Sequence, residues 1–401
     1  MISKKHIFIL ALLLSSLFSF SQEKYTISGT ISDKQNNETL IGVSVYIPEL
    51  KAGVNTNEYG FYSLTLPKGN YTIQISYVGY SLISESINLN TNLKNNYSLA
   101  NDENKLEEVV VTGESKYVNQ EIGKINLSIS TIKKMPVVLG EVDVIKSMLL
   151  LPGVTSAGEG ASGFNVRGGG ADQNLILMDE ATIYNSSHVF GFFSIFNPDA
   201  VKDIKLYKGG IPAKYGGRAS SVLDIYQKDG NSNDLHVNGG IGLISSKLLL
   251  EGPIVKDKGA FLVAGRTSYA HLFLKLNEET KDDTAYFYDL NAKLNYKLGE
   301  NDNVYMSGYF GRDVFSLADS FTNIYGNATF NARWNHLFSN KLFSNLSFIY
   351  SDYFYGFELD FIGFTWDSNI RNYNIKYDFK NYVSNNLKLD YGVSAIYYDF
   401  N

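Results

Sequence analysis

The sequence predicts a mainly β protein in three parts: a small N-terminal β-sandwich, an α+β middle, and the first part of a transmembrane antiparallel β-barrel. Three observations predict it. Aromatic residues reach 14%, with 29 Tyr and 25 Phe, the side chains that favour strands. Gly is frequent at 35 residues and Pro scarce at 7, which suits open turns between strands. Long runs late in the chain alternate apolar and polar residues with a period of two. The net charge of -6 argues against a nucleic-acid partner. The chain has no Cys, so a disulfide framework, a thiolate metal site and a cysteine nucleophile are all excluded.

Residues 1–21 read as a signal peptide. Lys4 and Lys5 form a basic start, and Ile7 to Phe18 is an apolar run. Ser19 and Ser21 are small residues that place the cut before Gln22. The run is too short for a membrane helix of about 20 residues. No later stretch is long and apolar enough to be one. Any membrane-spanning part must therefore be a β-barrel, since only helices and closed barrels satisfy their backbone in lipid.

Residues 22–100 read as short strands broken by Gly, Asn, Asp and Pro: YTISGTISD, GVSVYIPE, GVNTNEYGFYSLTLPKGNYTIQISYVGY and SESINL. The order of these segments resembles the carboxypeptidase-regulatory-like domain, a prealbumin-type sandwich. A structural spacer is preferred over a carbohydrate-binding or docking module, because fold alone does not give function.

Residues 101–114 are a polar linker that ends in EEVVVTGE, Glu107 to Glu114. A β-branched run with acidic flanks is an exposed strand seeking a partner edge. It is either an edge strand of the sandwich or a coupling strand captured by β-augmentation. Glu107, Glu108, Val109, Val110, Val111, Thr112 and Gly113 resemble the TonB box of TonB-dependent outer-membrane receptors. Within 115–230, the stretch from VDVIKSMLLLPGV through NVRGGGADQNLILMDEATIYN to VLDIYQKDGN is similar to their plug domain. Local reading gives a helix over Val142–Leu151 stopped by Pro152-Gly153, and strands over Phe164–Arg167 and Leu175–Asp179. It adds a helical turn from Pro198 to Val201, a strand over Asp203–Lys208 and a strand in VLDIYQK.

The three glycines Gly168, Gly169 and Gly170 pose a choice between phosphate and topology. No Gly-Lys-Ser/Thr follows them, and consecutive glycines do not make a dinucleotide fingerprint. They read as a tight turn inside a lumen. Glu180 departs from the Gly that such plugs carry after the Asp. The resemblance implies plug–barrel ion pairing for Arg167 and Arg218, with partners expected beyond residue 401, against an equal reading of each as a solvated arginine.

Residues 231–401 read as barrel. Tyr286, Tyr288, Leu290, Ala292, Leu294, Tyr296 and Leu298 share one face; Asp289, Asn291, Lys293, Asn295 and Lys297 share the other. Apolar out and polar in is the transmembrane-barrel rule. Leu387 to Tyr397 repeats it, failing at Ile396 and Asp399. Weaker copies sit near 234–254, 259–269, 303–313, 325–338, 342–353 and 366–380. The rival is a soluble sandwich with one wet face. There is room for about eight or nine strands, against about 22 in a plugged transporter barrel, so a truncated fragment is expected.

His6, His188, His236, His271 and His336 are scattered and offer no metal-ligand spacing, and no nucleophile elbow is present. Asp179 and Glu180, adjacent in a strand, would face opposite sides. No enzyme, cofactor or metal site is expected. The resemblance implies an energised receptor in the Gram-negative outer membrane, its sandwich in the periplasm. Its partners would be outer-membrane lipid, a TonB-type inner-membrane complex acting on the TonB box, and a scarce small-molecule or oligomeric solute whose binding residues are unknown. The plug does not resemble the typical sugar-importer subtype with its partner lipoprotein. The alternative is a binding or adhesion protein without transport.

Overall fold

The structure, a computed structural model, describes residues 23–102, 123–127, 129–134, 142–158, 163–318 and 320–401. The expected signal peptide and the TonB box lie outside the described residues.

The sandwich contains β1 (Lys24–Asp33), β2 (Ser44–Ile47), β3 (Ala52–Asn55), β4 (Phe61–Pro67), β5 (Gly69–Ser76), β6 (Ile83–Leu89), β7 (Leu93–Lys94) and β8 (Tyr97–Leu99). One sheet runs β4-β1-β7, with β8 also on β1; the other runs β3-β2-β5-β6. Alternation puts Ile27, Ile31, Val45, Leu64, Leu66 and Ile73 between the sheets, each almost fully buried. The glycine in β1 has a steric reason. A Cβ on Gly29 would sit 1.8 Å from the Asn95 carbonyl oxygen, where the chain crosses between β7 and β8.

The middle part contains β9 (Lys124–Leu127), β10 (Val154–Ser156), β11 (Phe164–Val166), β12 (Asn174–Met178), β13 (Ala181–Thr182), β14 (Ser187–His188), β15 (Phe193–Ser194), β16 (Val201–Tyr207) and β17 (Ser221–Gln227). Its main sheet is mixed, β13-β12-β17-β16-β9, with β12 parallel to β17. Helices α1 (Ile129–Lys133) and α2 (Val144–Met148) cover it, and Met148, Phe164, Ile176, Ile204, Leu223 and Ile225 fill the core. The expected helix over Val142–Leu151 is only the five residues of α2. Asp143 caps it by accepting from the Lys146 N–H at 2.8 Å, and single turns carry the chain from there to Pro152. The expected helical turn at Pro198 is one hydrogen-bonded turn, Ala200 N–H to Asn197 O at 3.0 Å.

Nine antiparallel strands follow in one sheet, each joined to the next: β18 (His236–Ile241), β19 (Ser245–Val255), β20 (Gly259–Ser268), β21 (Thr284–Lys297), β22 (Asp302–Leu317), β23 (Phe321–Ser339), β24 (Leu342–Leu359), β25 (Phe364–Ser384) and β26 (Leu387–Phe400). The segment 234–254, read as one strand, is a hairpin that turns through Gly242–Ile244. The alternation in β21 is inside out for a soluble protein. Leu290 is 48% exposed while Asp289 and Lys293 are 3% and 2% exposed. The inner face lies against the plug and the apolar face looks outward, the pattern of a barrel wall. Asp399 fits this wall. It lies beside Arg371 (3.8 Å), itself 3.5 Å from Asp352, so the three charges form a row straight across β24, β25 and β26. Among the described residues no helix is long and apolar enough to cross a membrane.

Candidate functional site

The glycine turn is built as its residues require. Arg167 and Gly168 both have positive φ, 49° and 83°, and the Gly169 N–H donates to the Val166 carbonyl at 2.9 Å. This is a two-residue turn whose second position favours Gly. Gly169 is needed for a different reason: a Cβ there would sit 2.3 Å from Ser220 Oγ. Ser220 also donates to Val166 O at 3.0 Å, so the turn is tied to the loop that enters β17.

Arg167 and Arg218 are exposed. The Arg167 guanidinium lies over Gly209, and Arg218 Nη1 donates to the Gly217 carbonyl at 2.9 Å. Among the described residues neither makes an ion pair with the wall.

The plug–wall contacts run through other residues, in two buried clusters. The first sits at the turn joining β12 to β13. The strand position expected for Asp179 and Glu180 is not what the chain adopts: both occupy the turn itself, with φ of 47° and 71°. Asp and Glu thus take a conformation usually left to Gly or Asn, at some local cost. The cost is offset by the wall. Lys293 of β21 reaches Asp179 at 3.1 Å and Asp229 at 3.1 Å, and donates to Gln227 O at 2.8 Å. Arg333 of β23 lies 3.6 Å from Asp179, and Asn331 donates to the Asp179 carbonyl. Asp229 also pairs with Lys202 at 2.5 Å. Burial alone would raise the Asp229 pKa, but Lys202 and Lys293 hold it below the ordinary carboxylate value.

The second cluster centres on His188 in β14. Its Nδ1 lies 2.7 Å from Asp313 of β22 and its Nε2 lies 3.1 Å from Asp289 of β21. Its ring stacks on Phe287 at 4.2 Å. Arg266 of β20 bonds Asp289 and also donates to the Ser194 carbonyl at 3.0 Å. A carboxylate on each ring nitrogen favours the doubly protonated ring, which donates from both. Burial opposes that charge, but Asp313 and Asp289 raise the His188 pKa overall.

These clusters fasten the plug to the wall: Asp179, Asp229, Asp289 and Asp313 each meet a cation or a backbone N–H, and Glu180 accepts from Ser347 and Asn345 of β24. Sequence reading placed Asp289 and Lys293 on the inner face of β21. It missed their partners, which lie from 23 residues (Arg266 to Asp289) to 114 residues (Asp179 to Lys293) away in sequence and carry no local signal.

Comparison with known proteins agrees with this architecture. Residues 27–111 match the CarboxypepD_reg-like domain, and residues 128–222 match the TonB-dependent receptor plug domain. TonB-dependent receptor P3 of Formosa agariphila is 28% identical over 129 residues, 32% of this chain and 12% of that protein. A ferric enterobactin receptor (PfeA) mutant from Pseudomonas aeruginosa is similar in fold, with a TM-score of 0.53 at 15% identity over 70% of this chain and 49% of that one. The siderophore receptor PirA from Acinetobacter baumannii gives a TM-score of 0.54 at 16% identity over 71% of this chain and 48% of that one. This chain thus spans about half the length of the solved structures it matches.

Proposed function

From a chain that carries the plug of the TonB-dependent receptors behind a CarboxypepD_reg-like domain, we propose an energised outer-membrane receptor. It takes up a scarce solute (a siderophore, oligosaccharide, peptide or similar) from the outer face. An inner-membrane TonB-type complex then pulls the strand Glu107–Gly113 to release it. The observation that carries this reading is the plug–wall interface. It is made of buried hydrogen bonds and ion pairs around Asp179 and His188, which fix position but add little net stability, so a modest pull can part them. Capture of the strand needs about five backbone hydrogen bonds, each worth about 0.5–1.5 kcal/mol net. The sandwich touches turns at the end of the wall where the connections are short, 298–301, 340–341 and 385–386, which supports a periplasmic position for it.

The test uses full-length receptor in outer-membrane vesicles and the purified periplasmic domain of the organism's TonB-type coupling protein. Strand pairing tolerates most side chains but not proline, which removes a donor and fixes φ. Val110→Thr should be captured like the parent, and Val110→Pro should not. Equal capture of Val110→Pro refutes the coupling strand. No capture of the parent favours a binding or adhesion protein without transport.

A further inference from the structure

The sandwich meets the plug and the wall at several places: Glu38 lies 3.6 Å from Lys202 and accepts from the Asp229 N–H at 2.8 Å, Lys94 donates to Asn301 at 2.9 Å, and the turn Asn57–Gly60, between β3 and β4, reaches both plug and wall at once. The turn is stiff. Asn57 Oδ1 accepts from the N–H groups of Tyr59 (2.9 Å) and Phe61 (3.0 Å), and the Gly60 N–H donates to Asn57 O at 3.0 Å. Gly60 has φ of 73°, and a Cβ there would sit 2.8 Å from Thr39, so no other residue fits well.

The two residues at its tip each touch both other parts of the molecule. The Glu58 carboxylate faces Lys214 (3.2 Å) and Lys205 (3.9 Å) of the plug and bonds Lys380 of β25 in the wall. The Tyr59 hydroxyl lies 3.4 Å from Glu180 of the plug. The Tyr59 ring stacks on Phe343 of β24 (5.2 Å) and faces the Arg333 guanidinium of β23 (5.6 Å). Behind the tip, Phe61 stacks on Phe343 at 5.7 Å, Ser63 donates to Asn340 O at 2.6 Å, and the Thr65 N–H donates to Asn385 at 3.0 Å. Alternate residues of β4 thus lie along the short-turn end of the wall.

We propose that the Asn57–Gly60 turn is a clamp that fastens the plug to the barrel wall, and that the sandwich is a docked gate which must leave before the plug can. The partner surface is this chain's own: a group of lysines shared between plug and wall, beside the aromatic ledge of Phe343 and Tyr382. A carboxylate is the required key. Without it, Lys205, Lys214 and Lys380 would face one another with their charges less compensated. Burial would raise the pKa of Glu58, but the three lysines hold it well below the ordinary range, so it stays charged. Residues 103–122, which include the proposed coupling strand, lie in sequence between the sandwich, which carries the clamp, and the plug, which the clamp holds. A pull on them therefore acts on sandwich and plug alike. The clamp stands on these contacts; its part in uptake rests on the receptor reading above.

The test exploits the absence of Cys from residues 1–401, with any Cys elsewhere in the receptor replaced by Ser. In full-length receptor in outer membranes, Ser63→Cys with Asn340→Cys should be joined by a short bis-maleimide. Glu58→Gln should lower that cross-link about tenfold, the scale of one lost charge-assisted contact, and should raise trypsin cleavage within the plug. Thr26→Cys with Thr65→Cys, whose hydroxyls lie 2.9 Å apart within the sandwich, should cross-link unchanged in the same background. If Glu58→Gln disturbs that inner pair, Lys214→Gln with Lys380→Gln asks the same question with the sandwich untouched, and the same loss is expected. The clamp is overturned if the 63–340 cross-link is absent in the parent, or if it persists when the charges are removed from either side. Failure of the receptor reading looks different: the coupling domain captures nothing while the cross-link stands.

Discussion

At the scale of single residues, the sharpest feature is the strained hairpin behind His188. Val189, Phe190 and Gly191 have φ of 47°, 52° and 92°, three left-handed residues in a row. For a β-branched and an aromatic residue this costs on the order of 1–3 kcal/mol each. The wall offsets it: Val189 N–H donates to Asp313 at 2.7 Å and Phe190 N–H donates to the Tyr325 hydroxyl at 3.0 Å. The charged and titratable groups facing His188 are Asp313, Asp289, Arg266 and Tyr309. Its pKa is raised above the unfolded value of about 6.5. Its contribution is therefore complete below that value and is lost as pH rises through the folded pKa. Amide exchange across 187–195, corrected for intrinsic rate, should be slow below the unfolded value and accelerate as pH rises through the folded pKa. His188→Gln should flatten that dependence, and a flat profile in the parent would mean the ring is not the charged member. None of this was legible in the sequence, where His188 is one scattered histidine. Gly168 and Gly169 were legible as a turn, because glycine runs have few other uses. Asp179 and Glu180 were not, because the wall overrides their local preference.

At the scale of elements, period two was the most readable signal. The strand β21 spans Thr284–Lys297, where the alternation runs from 284 to 298. Elements whose ends depend on partners were harder. α2 is shorter than its apolar spacing implies, because Asp143 starts it late and Pro152 forces turns before it. β18 and β19 read as one strand in the sequence because Gly239 and Gly240, inside β18, leave Gly242 in the turn without a distinct signal. The sandwich is self-contained: Ile27, Leu64, Ile73 and Leu89 pack on each other and not on the plug. Residues 23–102 produced alone should unfold in one cooperative transition, and Leu64→Ala should lower stability by about 2–5 kcal/mol. A broad, non-cooperative melt would show that the docked wall is part of this domain's fold.

At the scale of the whole molecule, the order of parts was legible and the assembly was not. Composition and alternation gave three regions, but which carboxylate meets which lysine is set by pairing between distant strands. The resemblance implies plug–barrel ion pairing for Arg167 and Arg218, whereas among the described residues Lys293, Arg266 and Glu58 make the contacts between the parts. The central claim is that the apolar face of this wall lies in lipid with the plug behind it. Its most direct test places a single spin-labelled cysteine at Tyr288, Asn291, Ala292 or Leu294 of the full-length receptor in outer membranes. Collisions with oxygen and with a water-soluble nickel complex are then compared at each site. The labels at Tyr288, Ala292 and Leu294 should meet oxygen and not nickel, and the label at Asn291 should meet little of either. Free access of nickel to Tyr288, Ala292 and Leu294 would mark that face as wet and contradict the barrel.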